Sequence, residues 1–221
     1  MMLPKRVTYL EKRDGMPRAD FRKHWSTVHA DIARDLPGVA AYRQNHVATV
    51  VSAPEDGTPY RVDGIVELWF DDAGAAPAGY GSEVADRLVL DEPRFLSGLT
   101  GGPVVALGIP DPRPHKLWLL ARWRDAEAAG LPGVEAWAAG LAAELAGTPD
   151  AAVNTLVPEA ELLLRDALRH EQEIPEVAVV LGFDDGEAAA AAAAHVGERL
   201  NGLRHVLRRV HVYVAEEVVI T

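Results

Sequence analysis

An α+β fold made of two β-α-β-β-α-β units is what this 221-residue sequence predicts, on three observations. Val66-Glu-Leu-Trp-Phe-Asp-Asp-Ala-Gly-Ala-Ala76 is echoed by Val179-Val-Leu-Gly-Phe-Asp-Asp-Gly-Glu-Ala-Ala189, and each copy runs into a segment ending in Arg-Leu, at Arg87-Leu88 and Arg199-Leu200. Strand-like apolar runs and helix-period segments succeed one another in the same order in both halves. Between them, Gly108-Ile-Pro-Asp-Pro-Arg-Pro114 places four prolines and glycines in seven residues, a linker composition. A β-α-β-β-α-β unit forms a four-stranded antiparallel sheet with both helices on one face, the ferredoxin-like arrangement, and leaves the other sheet face in need of a cover. Two such units cover each other by packing sheet to sheet. The expected division is therefore 1–109 and 115–221 with 110–114 as linker, folded as an intramolecular pseudo-dimer.

In chain order, Val7 to Leu10 is the first strand-like run. At about 100° per residue, residues 18 to 36 place Phe21, Trp25, Val28, Ile32 and Leu36 on one apolar helix face, with His24 and His29 flanking it on opposite sides. The two histidines stand about 140° apart, unlike the i, i+4 pair that grips one metal ion, so no metal site is expected. In the next strand, alternation puts Tyr42, Gln44 and His46 on one face and Arg43, Asn45 and Val47 on the other. In the strand after it, Asp63, Ile65, Glu67 and Trp69 share a face. Asp71-Asp72 and Asp184-Asp185 end strands before helices and read as turn and N-cap residues. In the second half, Lys116 to Ala121 is the matching strand, and a helix from about Pro132 to Leu145 carries Val134, Trp137, Leu141 and Leu145 on its apolar face.

Composition removes several classes of function. Hydrophobic residues make up 48% of the chain, ample for a core. The sequence has no cysteine, which excludes disulfides, thiolate metal sites and a cysteine nucleophile. A formal charge of −11 without a basic run argues against nucleic acid as a partner. No stretch approaches the roughly 20 apolar residues of a membrane helix, and the N-terminus lacks a signal-like core, so no membrane partner and a cytoplasmic location are expected. Gly98, Gly101 and Gly102 lack the spacing and the lysine of a phosphate loop.

If one polar strand face looks at the histidine helix, imidazole, phenol and carboxylate groups gather beside tryptophan. That inventory suits proton transfer on a mostly apolar substrate. The candidates for acid–base work are His29, His24, Tyr42 and Glu67, and those for substrate contact are Trp25, Phe21, Gln44, Asn45, His46 and Trp69. Each also has a plain structural reading. His24 can sit at the polar boundary of its helix, His29 can be a core histidine, Trp25 can be packing, and a buried tyrosine hydroxyl needs only one partner. Glu67 among hydrophobics requires a partner, with Arg43 and Arg61 as the candidates. Aligning the F-D-D segments sets Ala136 or Trp137 opposite His24, Leu141 or Ala142 opposite His29, and Val180 opposite Glu67. The second half thus keeps the apolar face and lacks the polar groups, and a single site is expected within residues 20 to 70.

The runs F-x-x-H-W-x-x-x-H at 21–29, L-P-G-V-x-x-Y-x-Q-N-H at 36–46, D-G-I-V-E-L-W-F-D-D at 63–72 and D-E-P-R-F-L at 91–96 resemble the EthD family of the dimeric α/β-barrel superfamily. The resemblance covers residues 5 to 108, and the second half resembles it in pattern only, as a diverged tandem copy. It implies an intramolecular dimeric α/β barrel with a pocket between helices and sheet. It also implies small-molecule enzymology in catabolism or secondary metabolism: a cofactor-free lyase, isomerase or monooxygenase acting on an aromatic, polyketide or lactone substrate. Because the wider superfamily includes haem barrels with a histidine axial ligand, haem is the alternative to no cofactor. A ligand-binding accessory protein without turnover is the other alternative. The expected partner is a small apolar or aromatic ligand, with assembly into a homodimer left open.

Overall fold

The computed structural model describes residues 3–52, 61–106, 110–125, 132–144 and 151–221. The first half contains β1 (Lys5–Lys12), a helix built from α1 (Arg18–His24), a π-helical segment (Trp25–His29) and α2 (Ala30–Ala33), then β2 (Val39–Ser52), β3 (Gly64–Phe70), α3 (Ala75–Tyr80), α4 (Glu83–Phe95) and β4 (Leu96–Val105). The second half contains β5 (His115–Trp123), α5 (Pro132–Glu144), β6 (Ala151–Leu156), β7 (Val177–Phe183), α6 (Gly186–Leu200) and β8 (Leu207–Val219). Of the sequence expectations, Leu145 and the Gly108-Ile109 start of the linker lie outside the described residues.

The strands close into one antiparallel barrel in the order β1-β3-β2-β8-β5-β7-β6-β4. Each half contributes a sheet of the same order, β4-β1-β3-β2 and β8-β5-β7-β6, and the two sheets face one another across a shared interior. Their edges join at two unequal seams. The β2–β8 seam runs from Arg43↔Val219 to Ser52↔Val212, whereas β4 and β6 pair only at Val104↔Leu156 and Val105↔Thr155. Along the rest of β4, isolated bridges Gly98↔Arg169 and Gly101↔Leu163 tie on the segment between β6 and β7. Closure removes strand edges that a lone unit would expose to aggregation.

Strand alternation divides the apolar residues into three layers. Val7, Tyr9, Ile65, Trp118, Leu120 and Tyr213 fill the barrel interior. Leu10, Val66, Leu68, Phe70, Leu96 and Leu99 turn outward and pack under the helices of the first half. Leu117, Leu119, Val179 and Leu181 do the same under α5 and α6, against Val134, Ala138, Ala189, Ala192 and Val196. The strands β3 and β7 are buried along their whole length. The paired aspartates take local roles: Asp72 accepts from the Gly74 and Ala75 N–H groups, and Asp185 caps α6 by accepting from the Ala188 N–H.

The histidine helix departs from regular α geometry. The Ala30 N–H bonds to the Trp25 carbonyl five residues back, and the Ser26 and Thr27 hydroxyls donate to the Arg22 and Lys23 carbonyls at 2.8 and 2.6 Å. Hydroxyls that take i−4 carbonyls loosen the α pattern at that point. The π segment rotates the next turn of the helix, and Val28, predicted on the apolar face, is 47% exposed. Phe21 and Trp25 remain fully buried, and a Cβ at Gly64 would lie 2.5 Å from the Trp25 ring, so the helix sits this close to β3 only because that residue is glycine.

Candidate functional site

A π bulge accommodates one residue beyond the α count, so residues five apart stand as residues four apart do in an α-helix. This corrects the expectation that His24 and His29 point away from each other. Both rings converge on Asp91 of α4: His24 Nε2 lies 3.0 and 3.1 Å from its two carboxylate oxygens, and His29 Nδ1 lies 3.1 Å from Oδ2. Phe95, one helical turn on, backs both imidazoles with ring centroids 4.9 Å from each. Asp91 is 3% exposed. Burial pushes its carboxyl up, but the hydrogen bonds from His29 and His24, with their charge, outweigh that and hold it below the usual carboxylate range. An ionised carboxylate only accepts, so His24 Nε2 and His29 Nδ1 each carry the hydrogen that faces it. Nε2 of His29 makes no hydrogen bond among the described residues, and in the neutral tautomer that keeps the hydrogen on Nδ1 it carries a lone pair.

His29 borders a cavity between the helices and the outer face of the first sheet. Its walls are mostly apolar, from Leu10, Leu36, Val66, Leu68, Leu88 and Leu99, with Tyr42, Tyr80 and Glu92 as polar points. Leu163 and Arg165, from the segment between β6 and β7, complete the enclosure, and Arg165 Nε binds Glu92 at 2.7 Å. The free volume is about 50 Å³, room for a water or two. A ring-sized ligand therefore enters only if the cover made by Leu163 and Arg165 lifts.

Tyr42 presents a donor to this cavity. Its oxygen accepts from Trp25 Nε1–H at 3.1 Å and Gln44 Nε2–H at 2.9 Å, so its own hydrogen is left to be donated. Burial pushes its phenol up to about 12, against those two hydrogen bonds, so it stays protonated. Gln44 also donates to the Trp25 carbonyl at 2.8 Å, tying the π segment to β2, and its Oε1 binds His46 Nε2 at 3.0 Å. His46 packs on Trp25 at 4.4 Å between ring centroids. Burial, with Arg22 nearby, lowers the His46 imidazole to about 4, so it is neutral at pH 7.

Of the residues expected to form one pocket, the structure gathers His24, His29, Phe21, Trp25, Tyr42, Gln44 and His46 in the helix–sheet layer. Only His29 and Tyr42 of these line the cavity, while Phe21, Trp25, Gln44 and His46 brace it from behind. Glu67, Asn45 and Trp69 belong elsewhere. Alternation turns them to the barrel interior, on the far side of the sheet from the histidines. There Glu67 pairs with Lys5 at 2.7 Å and Lys116 at 2.6 Å rather than with Arg43 or Arg61, because Lys116 arrives from β5 of the other half, which sequence alignment of one half cannot reveal. Asp91 and Glu92, which reasoning from the helix missed, stood in the D-E-P-R-F-L run. Tyr80, Leu163 and Arg165 carried no sequence signal.

Residues 13–98 match the EthD domain. No curated protein matches the sequence closely enough to count as a relative. Among solved structures the chain is similar to a candidate monooxygenase from Lactobacillus acidophilus NCFM, at 13% identity and a TM-score of 0.55, covering 100% of this chain and 95% of that one. It is similar to an anthrone oxidase-like protein at 8% identity and a TM-score of 0.62, covering 100% and 94%. It is similar to a candidate chlorite dismutase at 11% identity and a TM-score of 0.56, covering 98% and 96%. At such identities the likeness is one of fold. No helix among the described residues is long and apolar enough to cross a membrane. The matched segment lies in the first half of a closed eight-stranded barrel: over residues 13–98 the chain is similar to the EthD domain, and its fold is the dimeric α/β barrel.

Proposed function

We propose that the protein is a small-molecule enzyme that moves a proton on an acidic aromatic, polyketide or lactone substrate, with His29 as the base. The observation that carries this reading is the buried Asp91 holding two imidazoles while Nε2 of His29 is left free at an apolar cavity. The Asp91 carboxylate fixes the tautomer and stabilises the imidazolium once His29 has taken a proton, the role the aspartate plays in a catalytic triad. Loss of a proton from carbon next to a carbonyl puts negative charge on oxygen, and the Tyr42 hydroxyl is a donor of the kind that charge requires. His24 shares Asp91 and sets its position; His29 is the group at the cavity. Return of the proton at another carbon gives isomerisation, and departure of a neighbouring group gives elimination. The EthD match and the fold shared with an anthrone oxidase-like protein support an activated aromatic as the substrate class.

Haem, the alternative cofactor, asks more of the cavity beside His29 than a three-ring aromatic does. Leu10, Leu36, Val66, Leu68, Leu88 and Leu99 line the space against His29, and about 50 Å³ is free while Leu163 and Arg165 cover it, so haem, much larger than anthrone, would need a far wider opening.

Anthrone, a carbon acid, tests the proposal without knowledge of the natural substrate. In deuterated buffer, proton NMR is expected to show the protein accelerating loss of the methylene signal, with His29→Gln losing at least about 100-fold of that acceleration. Anthrone that binds without acceleration, or equal exchange with the variant, would overturn the catalytic reading in favour of a ligand-binding accessory role.

A further inference from the structure

The barrel interior holds an arrangement that proton transfer at His29 does not use. Three cations, Lys5, Arg43 and Lys116, meet two carboxylates, Glu67 and Glu217, and every one of these side chains is at most 5% exposed. Three bases thus share two acids, and burial, with Lys116 and Arg43 nearby, lowers the Lys5 ammonium against the pull of Glu67, so a further carboxylate beside Lys5 would favour its charged form. Lys5 and Arg43 both lie over the Trp69 ring, 4.4 and 5.1 Å from its centroid. Arg43 donates to the Pro110 carbonyl through Nη2, but its Nε and Nη1 have no hydrogen-bond partner. A buried charge without a counter-charge is costly, and so are buried donors without acceptors.

This cluster opens onto the weak seam of the barrel. Beyond Thr155, β6 has no strand partner on the β4 side among the described residues, and a cleft of about 780 Å³ occupies that gap. Lys5 and Asn154 stand at its floor, joined by a 2.8 Å hydrogen bond, and Ala138, Ala139, Ala152 and Leu156 supply apolar walls. Two exposed carboxylates, Asp111 and Glu135, stand on the rim, where water screens them from the buried cluster below. We infer that this seam cleft is a binding site for a small monocarboxylate with an apolar body, whose carboxylate pairs with Lys5 and supplies the third acid to the Lys5–Arg43–Lys116 cluster. The site lies on the opposite side of the sheet from His29 and is independent of the proposed reaction.

The test uses the full chain with benzoate as probe and benzyl alcohol as its uncharged counterpart, read by thermal unfolding and by calorimetric titration. Benzoate is expected to raise Tm saturably, and benzyl alcohol to leave it unchanged. Lys5→Met leaves two cations and two carboxylates, and is expected to weaken benzoate binding at least about tenfold. Ala139→Trp, placed on the exposed wall of α5, blocks the cleft without touching the cluster and is expected to show the same loss with ligand-free Tm unchanged; it decides the matter should Lys5→Met fail to fold. A wild-type protein indifferent to benzoate, an equal response to benzyl alcohol, or undiminished binding by Ala139→Trp would each overturn the inference.

Discussion

Asp91 is the residue on which the site turns, and it was legible only as one letter of a motif. Periodicity identified both histidines as flanking an apolar stripe, yet it assumed an ideal α-helix and so set them apart; the added π residue brings them to one carboxylate. Removing that carboxylate's charge has a defined consequence. Asp91→Asn retains the shape but no longer stabilises a positive His29, and anthrone exchange is expected to fall about 10- to 100-fold while the fold persists by circular dichroism. Tyr42→Phe removes the donor but leaves the ring in place, and is expected to slow exchange with little change in anthrone affinity. His46 gives a pH signature of its own. Its imidazole falls to about 4 in the folded protein, against about 6.5 when unfolded. Between those values the unfolded chain binds more protons than the native one, so stability present above about pH 6.5 is lost as pH falls towards 4, by roughly 3 kcal/mol in full. Urea unfolding at pH 7 and pH 5 is expected to show that loss in the wild type and a smaller one in His46→Gln.

At the scale of elements, β2 and β3 show both the strength and the limit of reading alternation. The period of two correctly grouped Tyr42, Gln44 and His46 apart from Arg43, Asn45 and Val47, but alternation alone does not say which group faces the helix. The structure answers through packing. Trp25 and Phe21 require a flat surface on β3, which Gly64 supplies on the face shared with Val66 and Leu68. Glu67 is thereby committed to the interior. Gly64→Ala would drive a methyl group into the Trp25 ring, and chemical denaturation is expected to show a loss of about 1–3 kcal/mol. The Ser26 and Thr27 hydroxyls, which accompany the π segment, look in sequence like ordinary solvent-facing polar residues.

The whole molecule couples its halves more tightly than the repeat implied. The β-α-β-β-α-β order was visible twice because the F-D-D segment and the apolar runs recur, but the segment between β6 and β7 has neither period. That segment binds the edge of β4 and covers the cavity of the other half with Leu163 and Arg165. Within the barrel the coupling is electrostatic. Burial opposes ionisation of Glu67, yet Lys116 and Lys5 win and hold its carboxyl far below the usual range. The stability this contributes is present above the unfolded glutamate value near 4.3 and is lost as pH falls through the folded one. Glu67→Gln leaves the buried Lys5 ammonium without a carboxylate and Lys116 with Glu217 alone, and is expected to cost about 3–5 kcal/mol in urea unfolding.

The central claim, that Asp91 acts through His29, is tested most directly by a double-mutant cycle on the rate of anthrone exchange. The account predicts that Asp91→Asn slows exchange in the wild-type background and has no further effect once His29 is glutamine, since the carboxylate then has no base to serve. Losses that simply add, or exchange that ignores both substitutions, would contradict it.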